Sequence, residues 1–313
     1  MPSVDIPLEQ LRQYKPSLNR ADDFDVFWKQ TVAEAGGQPL NAELVPYQLT
    51  TRGLQCYAVR FDGFGGGRIA GWYVRPQANG KFPGVCLYHG YASRAARPLE
   101  MLAMAAQGMC VLSMDCRGQN GQSQDSLPRE GQALGWMTQG IADPTTYYYR
   151  YVYADAVRAL ELLARREEVD PERLAVSGFS QGGGLSLAVA ALSDRPVLTL
   201  CDAPFLCDFR RAIQIAPTGP YLEIPTFLKA HPEMTDQVMK TLSYCDCLNF
   251  APWIKSRTIV CACLWDESCP PSTVFGVYNH IAAEKQIEVY PFHKHEVPYE
   301  HQELKLRLLV ESI

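Results

Sequence analysis

A mostly parallel α/β sheet with helices on both faces is the architecture that three features of this 313-residue sequence predict. From residue 84 onward, short and nearly continuous apolar runs recur along the chain. Helical patterns separate those runs. Before residue 84, the runs alternate apolar with polar and are broken by glycine. Continuous apolar runs mark strands buried on both faces, and strands that alternate with helices form parallel sheets. Alternating runs mark half-exposed strands, here an antiparallel meander that opens the sheet.

The elements follow in order. The segment from about 20 to 35, ADDFDVFWKQTVAEAG, carries Phe24, Phe27, Trp28 and Thr31 at helical spacing. Alternating runs at 44–50, 54–61 and 69–75 are separated by Gly53 and by GFGGG at 63–67. The buried-strand runs are GVCLYH (84–89), MCVLSMD (109–115), LAVSG (174–178), VLTLCD (197–202), TIVCACLWD (258–266) and IEVYPF (287–292). Val152, Ala156, Leu160 and Leu163 form one face of a helix between about 144 and 168. Residues 203–255 hold helical segments without a strand and are expected to cap the carboxyl end of the sheet. No repeat or linker divides the chain. One domain spanning 1–313 is expected, with 1–80 as its antiparallel extension and 203–255 as its cap-like insertion.

Bulk chemistry excludes several function classes. A formal charge of −5 argues against nucleic acid or an anionic membrane as the main partner. No apolar run is long enough to span a bilayer. The first twenty residues lack the basic start and apolar core of a secretory signal, which predicts a cytoplasmic location. The eleven cysteines show no C-x-x-C pair, and several sit inside apolar runs, as Cys86, Cys261 and Cys263 do. They read as small buried hydrophobes in a reducing compartment, and neither metal nor cofactor is expected.

The chemistry centres on Gly178-Phe179-Ser180-Gln181-Gly182. A G-x-S-x-G sequence is functional only between a strand and a helix, where a sharp turn exposes the serine hydroxyl. Here LAVS precedes it and LSLAVAAL (185–192) follows, so Ser180 is the expected nucleophile of an α/β-hydrolase fold. The helix N-terminus adds positive potential to the site. A serine hydroxyl needs a base, and the base needs an acid to hold its tautomer. Chain order in this fold runs serine, acid, histidine. His295, in the loop after the last strand, is the base expected, with His293 as the runner-up. Asp266 follows TIVCACLW in a turn-rich loop and is the acid expected. Asp202 ends a strand too early, Asp115 precedes the serine, and Glu267 is the fallback. The oxyanion needs two backbone N–H donors. Gln181 follows the nucleophile, and Tyr91 lies in His89-Gly90-Tyr91 after an early strand. His89 is read as a buried histidine bonded within its loop, and Arg117 as a brace for the active-site loops.

These motifs together carry a resemblance. Arg117-Gly118-Gln119, the Gly178–Gly184 elbow and His295-Glu296 resemble the signature of the acetyl xylan esterase/cephalosporin C deacetylase family of carbohydrate esterases. The likeness extends through PLEQLRQY, DFDVFW, GIADPTTYYYR, CDAPFLCDFRRA, TLSYCDCLNFA and DESCPPSTVFGVYNHI. It implies a Ser180–Asp266–His295 triad, oxyanion donors at Tyr91 and Gln181, and no metal. It also implies deacetylation of short xylo-oligosaccharides, cephalosporin C and other small esters by a homohexamer with inward-facing sites. The sequence departs from the family in two places. Lys294 stands where the family usually has glycine, and NGQSQDSLPREGQALG (120–135) is shorter and more polar. The rival readings are a non-catalytic binding protein, a peptidase, a long-chain lipase, and a general short-chain esterase acting on non-sugar esters.

Overall fold

The computed structural model describes residues 4–127 and 135–313. Part of the more polar 120–135 segment, residues 128–134, therefore lies outside the described residues, as do residues 1–3. In chain order the helices are α1 (Leu8–Leu11), α2 (Phe24–Gly37), α3 (Pro98–Ala105), α4 (Tyr148–Ala164), α5 (Gln181–Leu192) and α6 (Phe209–Ile215). They continue as α7 (Glu223–Ala230), α8 (Thr235–Cys245), α9 (Cys247–Phe250), α10 (Pro271–His280) and α11 (Tyr299–Ser312). The strands are β1 (Glu43–Tyr47), β2 (Leu54–Asp62), β3 (Arg68–Pro76), β4 (Phe82–Tyr88) and β5 (Cys110–Met114). They end with β6 (Val169–Phe179), β7 (Pro196–Asp202), β8 (Arg257–Cys263) and β9 (Lys285–Tyr290).

Among the described residues these strands make one sheet in the order β1-β2-β3-β5-β4-β6-β7-β8-β9. Pairing is antiparallel from β1 through β3 to β5 and parallel from there to β9. This is the α/β-hydrolase fold, with its antiparallel extension built from the amino-terminal meander. Two apolar layers explain why the central strands read as unbroken runs. Val85, Val111, Ala175, Leu200 and Ile259 face one layer, which α3 and α11 cover with Met101, Leu308 and Leu309. Their neighbours Cys86, Leu112, Val176, Cys201 and Val260 face the other, under α4 and α5. Side chains alternate across a strand, so both registers must be apolar when both faces are covered.

Covering continues outward. α4 is buried nearly all round, because the sheet lies beneath it and α2 packs on its outer side. The inward face of α2 buries Phe24, Trp28, Thr31 and Ala35. The described elements between 203 and 255 are helical, but they divide between two places. The first part sends α6 against α10 and α7 against the 136–138 turn. The second part packs beside α5 and α10, where Phe250 and Trp253 stack with Phe24. No helix among the described residues is long and apolar enough to cross a membrane.

Candidate active site

The turn between β6 and α5 is dictated by steric crowding. Ser180 sits at φ 57° and ψ −118°, a conformation that an L-residue holds only when its surroundings enforce it. The enforcing contacts are visible. Ser180 N–H donates to Asp202 O at 2.8 Å, and Ser180 O accepts from Phe205 N–H at 2.9 Å. The two flanking glycines follow from close approach. A Cβ on Gly178 would lie 2.3 Å from the Gly182 carbonyl carbon, and one on Gly182 would lie 2.0 Å from Tyr88 O. Any side chain at either place would push the turn open and misdirect the hydroxyl.

The structure brings Ser180, His295 and Asp266 into one chain of hydrogen bonds. His295 Nε2 lies 2.9 Å from Ser180 Oγ, and His295 Nδ1 lies 2.8 Å from Asp266 Oδ2. The other Asp266 oxygen accepts the Ser268 and Cys269 N–H groups at 2.9 and 2.8 Å. Asp266 is therefore a buried acceptor at both oxygens, which assigns the proton on His295 to Nδ1 and its lone pair to Nε2. The Phe179 ring packs 4.7 Å from the imidazole and limits its rotation. Such an arrangement can take a proton from the serine hydroxyl and return it to a departing group.

The competing candidates have other partners. The His293 carbonyl accepts the Trp265 N–H at 3.0 Å, and its ring packs on Tyr290, away from the serine. Glu267 is exposed. Asp115 accepts the Ala95 and Gln122 N–H groups and so shapes the neighbouring loops. Asp202 is buried against His301 and Lys305 of α11. Burial alone would raise its carboxyl, but Lys305 and His301 bring it below the usual carboxylate range.

The two oxyanion candidates lie in different connections, Tyr91 after β4 and Gln181 after β6. Gln181 is the first residue of α5, so its N–H has no partner within the helix. The Tyr91 N–H finds no acceptor among the described residues. Side chains lock the two donors together. Gln119 Nε2 donates to Gln181 Oε1 at 2.8 Å, and Gln119 Oε1 accepts the Ala92 N–H at 3.1 Å. His89 Nε2 accepts the Cys116 N–H, so its Nδ1 donates to Gly90 O at 2.7 Å. Burial lowers the His89 pKa, which keeps the ring neutral for that role. Arg117 braces from beneath. It is fully buried, with Nε 2.7 Å and Nη2 2.8 Å from the Asp155 carboxylate, and it also donates to Phe64 O.

Five residues around the site escaped the sequence reading. Gln119 was visible only as part of a motif. Cys269 and Glu223 gave no periodic or motif signal. His301 and Lys305 did leave one, because their i, i+4 spacing puts both on one face of α11. Asp266, Cys269 and His295 bring metal-ligating atoms within 4.8 Å of one another. Both Asp266 oxygens are already hydrogen-bonded, and burial raises the Cys269 thiol well above its usual range, so the group suits proton transfer better than metal ligation.

Comparison with known proteins gives a consistent picture. The model of the acetyl xylan esterase family, AXE1, matches residues 1–311. The solved acetyl xylan esterase from Paenibacillus sp. R4 is 43% identical, with a TM-score of 0.96 over 98% of this chain and 100% of that one. Acetyl xylan esterase 1 from Thermoanaerobacterium sp. JW/SL YS485 is 34% identical, with a TM-score of 0.94 over 98% and 99%. The acetyl esterase Axe7A of Xylanibacter ruminicola is 29% identical over 90% of this chain. The chain spans only 65% of that relative's own length.

Proposed function

The chain belongs to the acetyl xylan esterase family AXE1, and on that premise we propose that it is a serine carboxylic ester hydrolase. Its substrates are small acetyl esters, acetylated xylo-oligosaccharides first and cephalosporin C among them. The observation that carries the reading is a single imidazole, His295, bonded to both Ser180 Oγ at 2.9 Å and Asp266 at 2.8 Å.

The proposed reaction has two acyl transfers. Ser180 Oγ bonds to the acetyl carbonyl carbon as its proton passes to His295 Nε2. Negative charge then develops on the carbonyl oxygen, facing the Tyr91 and Gln181 N–H groups. Asp266 stays ionised and stabilises the imidazolium. The bond to the alcohol breaks as His295 returns the proton to the leaving oxygen. Water attacks the acetyl-enzyme with the same histidine as base, and acetate leaves with Ser180 restored. No metal or cofactor takes part in this scheme.

Ser180 is only 7% exposed, which supports small esters over polymers. The same observation supports the alternative, a general short-chain esterase acting on non-sugar esters. Acetate release from acetylated xylobiose, cephalosporin C and glycerol acetate, beside p-nitrophenyl esters of rising acyl length, separates the two. A preference for the sugar acetates supports the first reading, and indifference to the alcohol supports the second. Activity that peaks at long acyl chains contradicts both. Ser180→Ala is expected to lower kcat by about 10⁴-fold or more, and wild-type-like turnover would refute the nucleophile.

The proposal extends to a homohexamer and to a cytoplasmic location. Eleven free, buried thiols suit a reducing compartment. Sedimentation analysis tests the assembly, with a monomer as the opposing result. Neither nucleic acid nor membrane is among its proposed partners.

A further inference from the structure

Among the acids that the chemistry above leaves unused is the half-buried Glu223. Glu223 opens α7, in the first part of the 203–255 segment, and its carboxylate enters the junction beside Tyr91. Tyr91 Oη donates to Glu223 Oε1 at 2.6 Å and accepts the Trp136 N–H at 2.8 Å. The second carboxylate oxygen accepts the Met137 N–H at 3.0 Å. Tyr147, the residue before α4, donates its Oη to Met137 O at 3.1 Å, so the 136–138 turn is pinned from the far side as well. The space is closely fitted. A Cβ on Gly135 would lie 2.4 Å from both carboxylate oxygens. Trp136 and Phe205 enclose the Tyr91 ring at 5.2 and 6.1 Å.

We propose that Glu223 is a positioning residue for ester hydrolysis, fixing the Tyr91 ring so that the Tyr91 backbone N–H stays aimed at the oxyanion. The inference rests on the serine-esterase reading and adds a residue to it. Tyr91 lies on a loop between β4 and α3, and among the described residues its N–H has no acceptor to hold its direction. Among the described residues the protein grips Tyr91 by its ring, which Glu223 holds from the segment above together with Trp136 and Phe205. Oxyanion donors act only when held in place before charge develops, so loosening one lowers turnover more than binding.

The test compares kcat and KM for p-nitrophenyl acetate in Glu223→Ala, Glu223→Gln, Tyr91→Phe and the Glu223→Ala/Tyr91→Phe double variant. Glu223→Ala and Tyr91→Phe are each expected to lower kcat about 10- to 100-fold, with KM changed less than threefold. The double variant is expected to match the worse single one, because both break the same link. Glu223→Gln keeps one acceptor oxygen and is expected to recover part of the loss. Full kcat in Glu223→Ala, a loss confined to KM, or strictly multiplicative losses in the double variant would overturn the proposal. If Glu223→Ala fails to fold, Tyr91→Phe decides, since it removes only the hydroxyl. An unaltered enzyme that cannot hydrolyse the ester refutes the esterase reading; an active enzyme insensitive to both changes refutes this proposal alone.

Discussion

At the scale of single residues, the site depends on hydrogen bonds that leave each group one role. Asp266 accepts two backbone N–H groups on one oxygen and His295 on the other, so it can orient the ring without a change in its own position. Asp266→Asn would offer an amide N–H to His295 and favour the wrong tautomer. It is expected to lower kcat by about 10³- to 10⁴-fold while the far-ultraviolet spectrum is unchanged; a loss below tenfold would show that Asp266 does not set the tautomer. Ser180, Asp266 and His295 were legible in the sequence because each follows a strand and local chemistry selects it. Ser180 lies between two glycines that sterics demand, and Asp266 and His295 lie in loops rather than helices. Gln119, Cys269 and Glu223 were not legible, since their roles arise from contacts with residues distant in the chain. Gln119 meets Gln181, and Glu223 meets Tyr91, only after the loops are assembled. Lys294, which replaces the glycine expected beside the base, is exposed, and it is absent from the positions with positive φ. The backbone there does not require glycine.

At the scale of elements, α11 is joined to the strand behind the nucleophile by charge as well as by apolar packing. Lys305 and His301 both contact the buried Asp202 carboxylate, and Tyr290 Oη meets His301 Nδ1 at 3.0 Å. Asp202 in turn accepts the Ser180 N–H through its backbone oxygen. Removing Lys305 leaves a buried carboxylate short of its main counter-charge. Lys305→Ala is expected to destabilise the fold by about 3–5 kcal/mol, read from the shift in urea midpoint. The pH dependence has a defined sign. The folded pKa of Asp202 lies below its ordinary value of 3.8, so the pairing stabilises fully above about pH 4 and is lost as pH falls through the folded value. Lys305→Ala should therefore move the acid-unfolding midpoint upward, and an unchanged midpoint would contradict the pairing. Strands and helices were legible because the apolar runs have the right length and period. The division of 203–255 between two places was not, because its amphipathic helices show which face is buried but not against what.

At the scale of the whole molecule, the amino-terminal segment fastens the helical layer together. Arg20 donates to Asn249 O, Asn19 pairs with Asn249, and Tyr14 Oη donates to Asp208 Oδ2 at 2.9 Å. Asp5 accepts from Arg211 and from the Ser272 N–H, linking α6 to α10. Trp28 is fully buried between Tyr153 and Phe250, with Nε1 donating to Tyr244 O at 2.6 Å. Trp28→Ala is expected to cost about 3–5 kcal/mol, seen as a lower urea midpoint with one transition retained. A separate early transition would instead mark the amino-terminal segment as an independent unit. These bonds connect parts of the chain 194 to 267 residues apart, and the sequence offers no pattern from which to read them.

The central claim is that acetyl passes through Ser180. Acid quenching during turnover of an acetyl ester, followed by peptide mass mapping, tests it directly. The expected result is one acetyl group on the peptide holding Ser180, located on that serine and absent from Asp266→Asn at the same time point. Rapid steady-state hydrolysis with Ser180 unmodified, together with undiminished turnover in Ser180→Ala, would contradict it.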